Sequence, residues 1–263
     1  MKVYHDFAEV YDELMDNVPY EEWGERLDGL IKKYGVSKPE RDSEDVLESE
    51  RNLVVDLGCG TGTLTELMYK KGYDMVGVDV SESMLAIALG KKEASGSEIL
   101  YLAQDMRELE LYSTVGTIYS VCDSLNYILE EQELLDVFGL VNNYLYPGGI
   151  FIFDFNTDYK YREVIGETVI AENREDCSFI WENFYDVEEE VNECDLTVFV
   201  RQEDENFRRF RETHLQRGYT AEQMAALVGQ AGMEVVEVMD ADTGGNVSDE
   251  SGRVYIVARE RGK

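Results

Sequence analysis

Of the 263 residues, 56 are Asp or Glu and 24 are Lys or Arg, which leaves a formal net charge of −32. A hydrophobic fraction of 44% excludes wholesale disorder, and no apolar run reaches the roughly 18–20 residues needed to cross a bilayer. Clustered Lys and Arg are what release counterions from a nucleic-acid backbone, so no tight binding to bulk nucleic acid is expected, and no membrane partner either.

The length suits one large domain, or a core of roughly 150–200 residues carrying an insertion. Met1–Asp6 lacks the basic-then-apolar pattern of an export signal. Cys59, Cys122, Cys177 and Cys194 form no CxxC pair and lie far from both histidines in sequence. Neither a metal site nor a disulfide framework is expected, and a cytoplasmic location fits best.

In chain order, Phe7, Val10, Tyr11 and Leu14 recur at helical spacing, and Trp23, Leu27, Leu30, Ile31 and Tyr34 do so again. Ser37–Asp45 reads as an exposed linker. A strand at Leu53–Val55 leads through Gly58, Gly60 and Gly62 into a helix ending near Lys71. Asp74–Asp79 is the second strand, followed by a helix from Ser81 to about Lys92. Ile99–Leu102 is the third strand and Val115–Val121 the fourth. A helix over Glu131–Tyr146 and a Pro147-Gly148-Gly149 turn lead to the fifth, Ile150–Phe155. Alternating strands and helices predict an α/β, doubly wound, Rossmann-like sheet.

The rhythm breaks after residue 157. Phe179–Tyr185, Leu196–Val200 and Phe207–Arg211 read as antiparallel strands, with Glu188–Glu190 and Glu203–Asn206 as turns. A helix over Thr220–Ala231 and strands at Glu234–Met239 and Val254–Ala258 return to the core. The expected organisation is an amino-terminal helical cover and linker over 1–50. A core follows over 51–157 and 219–263, with an antiparallel β lid over 158–218.

The glycine cluster joins a strand to a helix, where a ligand sits at the carboxyl end of the first strand in doubly wound folds. Asp79, at the end of the next strand, is placed to accept hydrogen bonds from both ribose hydroxyls of a nucleotide. A dinucleotide would bring its pyrophosphate onto the helix amino terminus. Asp56 stands just before the loop, and no Lys or Arg follows until Lys70. A ligand without phosphate and with positive charge suits that loop better.

Val54–Thr63, Gly77-Val78-Asp79-Val80-Ser81 and Gln104-Asp105-Met106 resemble three motifs of the class I S-adenosylmethionine-dependent methyltransferases, small bacterial type with an antiparallel lid. Pro147-Gly148-Gly149 before a strand is also typical of them. The resemblance implies a seven-stranded sheet with the last strand reversed, and S-adenosyl-L-methionine as cofactor. It places Gly58, Cys59 and Gly60 at the methionine part, with Asp56 supporting the ammonium group. Asp79, with Val80 beside it, takes the ribose. Met84 packs on adenine, Asp105 and Met106 hold its edge, and Cys122 faces the sulfur. Tyr4–Asp12 resembles a helix folded across the cofactor, with Tyr11 reaching the methionine carboxylate.

Methyl transfer needs alignment and exclusion of water more than a fixed catalytic group. His214, Asp154 and Tyr11 are the candidate catalytic residues. Asp123, Asn126, Trp181, Arg217 and Tyr219 are candidates for touching a small-molecule acceptor, with Tyr127, Asn156 and Tyr185 near them. An NAD-dependent oxidoreductase and a non-catalytic cofactor-binding or partner-docking module remain open alternatives.

Overall fold

The structure, a computed structural model, describes residues 7–41, 44–203 and 206–263. Helices α1 (Ala8–Leu14), α2 (Tyr20–Tyr34) and α3 (Val46–Asn52) precede an alternating core. Its first half comprises β1 (Leu53–Leu57), α4 (Thr63–Lys70), β2 (Asp74–Asp79), α5 (Glu82–Ser95) and β3 (Leu100–Ala103). β4 (Val115–Ser120), α6 (Glu131–Tyr144) and β5 (Leu145–Asn156) follow. After β6 (Val169–Asn173), β7 (Cys177–Asp186), β8 (Val191–Arg201) and β9 (Phe207–Arg217) come α7 (Ala221–Gln230), β10 (Met233–Asp240) and β11 (Arg253–Glu260).

The main sheet has seven strands in the order β10-β11-β5-β4-β1-β2-β3. Only β11 runs antiparallel to its neighbours, β5 and β10. The chain winds outward from β1 through β2 to β3, then returns to the other side of β1 for β4. That reversal opens a crevice at the carboxyl ends of β1 and β4, where doubly wound folds place their ligands. The central strands are apolar on both faces because helices cover both. Val55, Leu57, Ile118, Phe151 and Phe153 pack against α6 and α7, while Val54, Tyr119, Ile150 and Ile152 pack against α2 and α4.

β6, β7, β8 and β9 form a separate antiparallel sheet whose inner face, with Cys177, Cys194, Leu196 and Val198, buries Val10 and Leu14 of α1. α1 alternates in character because it lies between this lid sheet and the crevice.

The fold expected from sequence is the fold observed, with local differences. Tyr4, His5 and Asp6 of the expected cover lie outside the described residues, as do Asp42, Ser43, Asp204 and Glu205 of the two expected loops. α3 occupies the end of the stretch before β1 that showed no helical pattern: it is one short helix with a single buried residue, Asn52, and an Asp45 cap on the Leu47 N–H. The linker is not exposed throughout. Ser37 is buried, and its Oγ lies 2.8 Å from Thr117 Oγ1 and 3.0 Å from the Arg51 carbonyl oxygen. β6 lacks an apolar face, with four of its five residues exposed, which hid it from a periodicity reading.

Close backbone packing at the linker makes one glycine indispensable. A Cβ on Gly116 would stand 1.7 Å from the Arg51 carbonyl oxygen, whereas one on Gly139 in α6 would meet nothing within 4 Å. Gly116→Ala is expected to destabilise the fold by about 3 kcal/mol or more. Gly139→Ala, in an exposed helical turn, is expected to stabilise it by about 0.5–1 kcal/mol. Denaturant melts of the two variants beside the parent measure both.

Candidate functional site

The glycine loop leaves β1 and enters α4 with all three glycines at positive φ: Gly58 at 84°, Gly60 at 54° and Gly62 at 74°. Only glycine takes that run without strain. A Cβ on Gly60 would meet nothing within 4 Å, because this residue opens into the crevice. The Gly60 N–H donates to Asp79 Oδ2 and the Ser81 N–H to Asp79 Oδ1, each at 2.8 Å. One carboxylate at the end of β2 thus ties the loop after β1 to the cap of α5.

A cavity of about 690 Å³ lies above these strand ends. Its floor holds Asp56, Gly58, Cys59, Gly60 and Asp79, one wall Val80, Met84, Asp105 and Met106, and another Tyr11 and Cys122. Every residue that the sequence assigns to the cofactor therefore lines a single cavity. Tyr20, Trp23, Ser124, Tyr127, Ile128, Leu129 and the lid's Leu215 also line it. Apart from Tyr127, none of these was singled out as a ligand residue. Tyr20 and Trp23 belong to an amphipathic stripe indistinguishable in sequence from a docking face.

The cavity is electronegative. Asp56 is 2% exposed, accepts a hydrogen bond from Thr65 Oγ1 at 2.6 Å, and is reached by no ion pair among the described residues. Burial, helped by the neighbouring Asp79, pushes its carboxyl up to about 7. Burial raises Asp79 too, against the pull of its backbone donors. Asp105 goes the other way because it is ion-paired with Arg107 at 2.6 Å, and Arg107 is held in turn by Glu133. Arg107, the one cationic side chain among the described residues that line the cavity, is thereby already neutralised.

A second cation stands just outside, where the local sequence gave no sign of it. Lys91, from α5, reaches the glycine loop and places its Nζ 2.6 Å from Thr63 Oγ1 and 3.1 Å from Thr61 Oγ1. It does not leave the loop positive, because Asp12 of α1 pairs with it at 2.6 Å and accepts from Thr61 Oγ1 at 2.6 Å. Asp12 is also what fastens α1 to the core. The lid holds the same helix through Arg208 on Glu9 at 2.5 Å, and through Arg174 on the Glu13 carbonyl oxygen and on Asp16 at 2.9 Å.

The acceptor-side candidates are placed differently: His214, Asp154, Asp123, Asn126, Trp181, Arg217 and Tyr219 all stand outside the cavity lining. Asn126 is fully buried and spends its amide on the Asn156 backbone and the Arg217 carbonyl oxygen. Tyr219 is fully buried and donates to the Ile128 carbonyl oxygen. Arg217 donates to the Leu129 carbonyl oxygen and pairs with Glu190, so these three brace the 124–129 turn against β9. Trp181 packs within the lid's inner face beside α1. His214 is 3.0 Å from the Tyr127 hydroxyl through Nδ1, and burial lowers its pKa against the pull of Glu212. Tyr127 lines the cavity and His214 stands behind it.

Asp123 belongs to the loop after β4, and Asp154, near the end of β5, accepts from its N–H. Cys122 and Asp123 take left-handed φ values of 66° and 52°, which cost on the order of 1 kcal/mol or more apiece for residues with a Cβ. Cys122 projects into the cavity, and burial pushes its thiol up to about 12, so it is neutral there.

The raised carboxyl of Asp56 fixes a stability prediction. Its folded pKa of about 7 lies above the ordinary value of 3.8, so the unfolded chain gives up this proton first. Stability from this group is therefore lost as pH rises from about 4 to about 7. Asp56→Asn is expected to melt higher than the parent at about pH 8, with the difference shrinking toward pH 5, in ligand-free thermal melts.

Comparison with known proteins agrees with this geometry. The sequence model of a methyltransferase-domain family matches residues 54–149. A protein of Geobacillus sp. (strain WCH70), provisionally named a methyltransferase, is 35% identical over 98% of this chain and 99% of its own length. A second, from Bacillus subtilis (strain 168) and likewise provisionally named a methyltransferase, is 32% identical over 98% of this chain and 97% of its own. The crystal structure of an S-adenosylmethionine-dependent methyltransferase from Clostridium acetobutylicum superposes with a TM-score of 0.84 at 27% identity, covering 98% of this chain and 99% of that one. Glycine loop, paired carboxylates, strand order and relatives matched along nearly the full length converge: the chain belongs to the class I S-adenosylmethionine-dependent methyltransferase family, with S-adenosyl-L-methionine as its cofactor.

Proposed function

We propose that this protein moves a methyl group from S-adenosylmethionine to a small-molecule acceptor held under the lid, with residues 51–157 and 219–263 acting as the cofactor-binding core. The observation that carries this reading is the cavity: about 690 Å³, walled by the core on one side and by α1, α2 and Leu215 of the lid on the other. That is the size of a small-molecule site, and no open groove for a polymer is needed to reach it.

The donor set fits the cofactor. Asp56, Asp79, Glu82 and Asp105 line the cavity, and Arg107, which also lines it, is already paired. A ligand carrying an ammonium, a sulfonium and ribose hydroxyls finds acceptors there, whereas a diphosphate finds Lys91 already neutralised by Asp12. When bound, S-adenosylmethionine supplies a methyl group made electrophilic by the sulfonium. In this reading Asp56 supports the ammonium group, Asp79 accepts from the ribose, and Met84, Asp105 and Met106 hold the adenine. Tyr11, Cys122 and Tyr127 face the space left for the acceptor. His214, whose pKa burial lowers, is linked to that space through the Tyr127 hydroxyl. A reducing cytoplasm is part of the proposal, as is the absence of any tight nucleic-acid partner.

Asp79 decides the cofactor assignment. Its oxygens already hold the Gly60 and Ser81 N–H groups, so it supports the loop as well as the ligand. Asp79→Ala is expected to lose about 2–4 kcal/mol of S-adenosylmethionine affinity, about 30- to 1000-fold, with the loop contribution included. Asp79→Asn keeps a carbonyl acceptor and should lose less. Titration calorimetry with S-adenosylmethionine and its demethylated product, alongside melting curves, measures both. Parent-like binding by the alanine variant would refute the ribose assignment.

A further inference from the structure

Two consecutive residues with side chains, Cys122 and Asp123, hold left-handed backbone conformations at the cavity wall, and something must keep them there. The structure shows what does. The Cys122 N–H donates to Asp154 Oδ2 at 3.2 Å, and the Asp123 N–H donates to Asp154 Oδ1 at 2.9 Å. One carboxylate, fully buried at the end of β5, caps both successive amides. Arg253, from the start of β11, is ion-paired with that carboxylate, and its guanidinium lies 4.4 Å from the centre of the Trp23 ring. Arg253 thus supplies the ionic partner that a fully buried carboxylate needs, while each Asp154 oxygen accepts one of the two backbone N–H groups.

The loop so held touches the rest of the site on two sides. Ser124 is pressed against the glycine loop: a Cβ on Gly58 would come within 2.7 Å of Ser124 Oγ and 2.8 Å of its Cβ. Gln216 of the lid donates to Asp123 Oδ2 at 2.6 Å. Any relaxation of Cys122 and Asp123 toward ordinary φ values must therefore move Ser124 against Gly58 or pull Asp123 from the lid.

We propose that Asp154 is a positioning residue: with Arg253 behind it, it holds Cys122 and Asp123 in their left-handed conformation and so sets where Cys122 and Ser124 stand against the cofactor-binding loop. This rests on the reading of the cavity as a cofactor site, and it removes Asp154 from the groups that touch the acceptor. The opposite account is that Asp154 serves only to balance the buried charge of Arg253.

The two accounts differ in what restores a damaged protein. Glycine takes left-handed φ without restraint, so Asp123→Gly removes half of what Asp154 has to enforce. The measurement is calorimetric affinity for S-adenosylmethionine, with ligand-free melting temperatures, for the parent, D154A, D123G, D154A/D123G and D154A/R253M. D154A is expected to bind at least about tenfold more weakly than the parent. D123G should recover at least about threefold of affinity in the D154A background and none in the parent background. A D154A protein that binds like the parent overturns the proposal, and so does a loss repaired by R253M but not by D123G. Should D154A fail to fold, D154N goes through the same comparison, since its amide can accept from only one of the two N–H groups. A parent that binds neither S-adenosylmethionine nor its demethylated product removes the cofactor reading instead. The glycine repair of the melting temperature, present or absent, then decides the backbone claim by itself.

Discussion

A carboxylate buried without a cation is the constraint around which this site is built. Asp56 stands near the end of β1 inside the sheet, where taking a charge out of water is costly and no lysine or arginine among the described residues pairs with it. The fold meets that cost by letting the group hold its proton near neutrality, with Thr65 as its hydrogen-bond partner. A site left in this state favours a ligand that brings its own positive charge. The same logic runs through its neighbours: Arg107 is spent on Asp105 and Glu133, and Lys91 on Asp12. Arg107 and Lys91 are both paired off, whereas Asp56 and Asp79 inside the cavity have no ion pair among the described residues.

Around that floor the molecule is assembled from two sheets joined at several places, among them the packing of Tyr185 in β7 on Tyr161 and Ile165. α1 sits between them, fastened to the core by Asp12 and to the lid by arginines on its backbone and its acidic side chains. The turn over residues 122–129 is another junction, tied to β5 and β9 at once. α1 and this turn both border the cavity. In the proposed function, an acceptor held between core and lid is surrounded by segments that join them, which suits chemistry that depends on alignment and on excluding water.

Much of this was legible in the sequence, and the reasons are local. Val54–Val55, Ile118 and Phe151–Phe153 announce central strands because both faces are covered, so the run needs no alternation. Gly58, Gly60 and Gly62 announce the loop because no other residue takes three positive φ values so closely spaced without strain. Asp79 is found from its distance to that loop. What stayed hidden depends on contacts between distant segments. Lys91 is 28 residues from Thr63 yet touches its hydroxyl, and nothing in either segment marks the pairing. Cys122 and Asp123 look like ordinary residues after a strand, and their left-handed backbone is visible only beside Asp154. Asn126, Arg217 and Tyr219 have the chemistry of ligand-binding groups and were read that way. In space they satisfy backbone groups of a turn, a role that residue type cannot distinguish.

The central claim is that an electroneutral Asp56 becomes charged when S-adenosylmethionine brings an ammonium group to it. Titration calorimetry in buffers of differing ionisation enthalpy counts the protons exchanged on binding. At about pH 6, most of the Asp56 carboxyls hold a proton, so binding should release about one proton per site, with the release falling away toward pH 8. Binding at pH 6 with no proton released, or NAD bound as tightly as S-adenosylmethionine, would contradict the account.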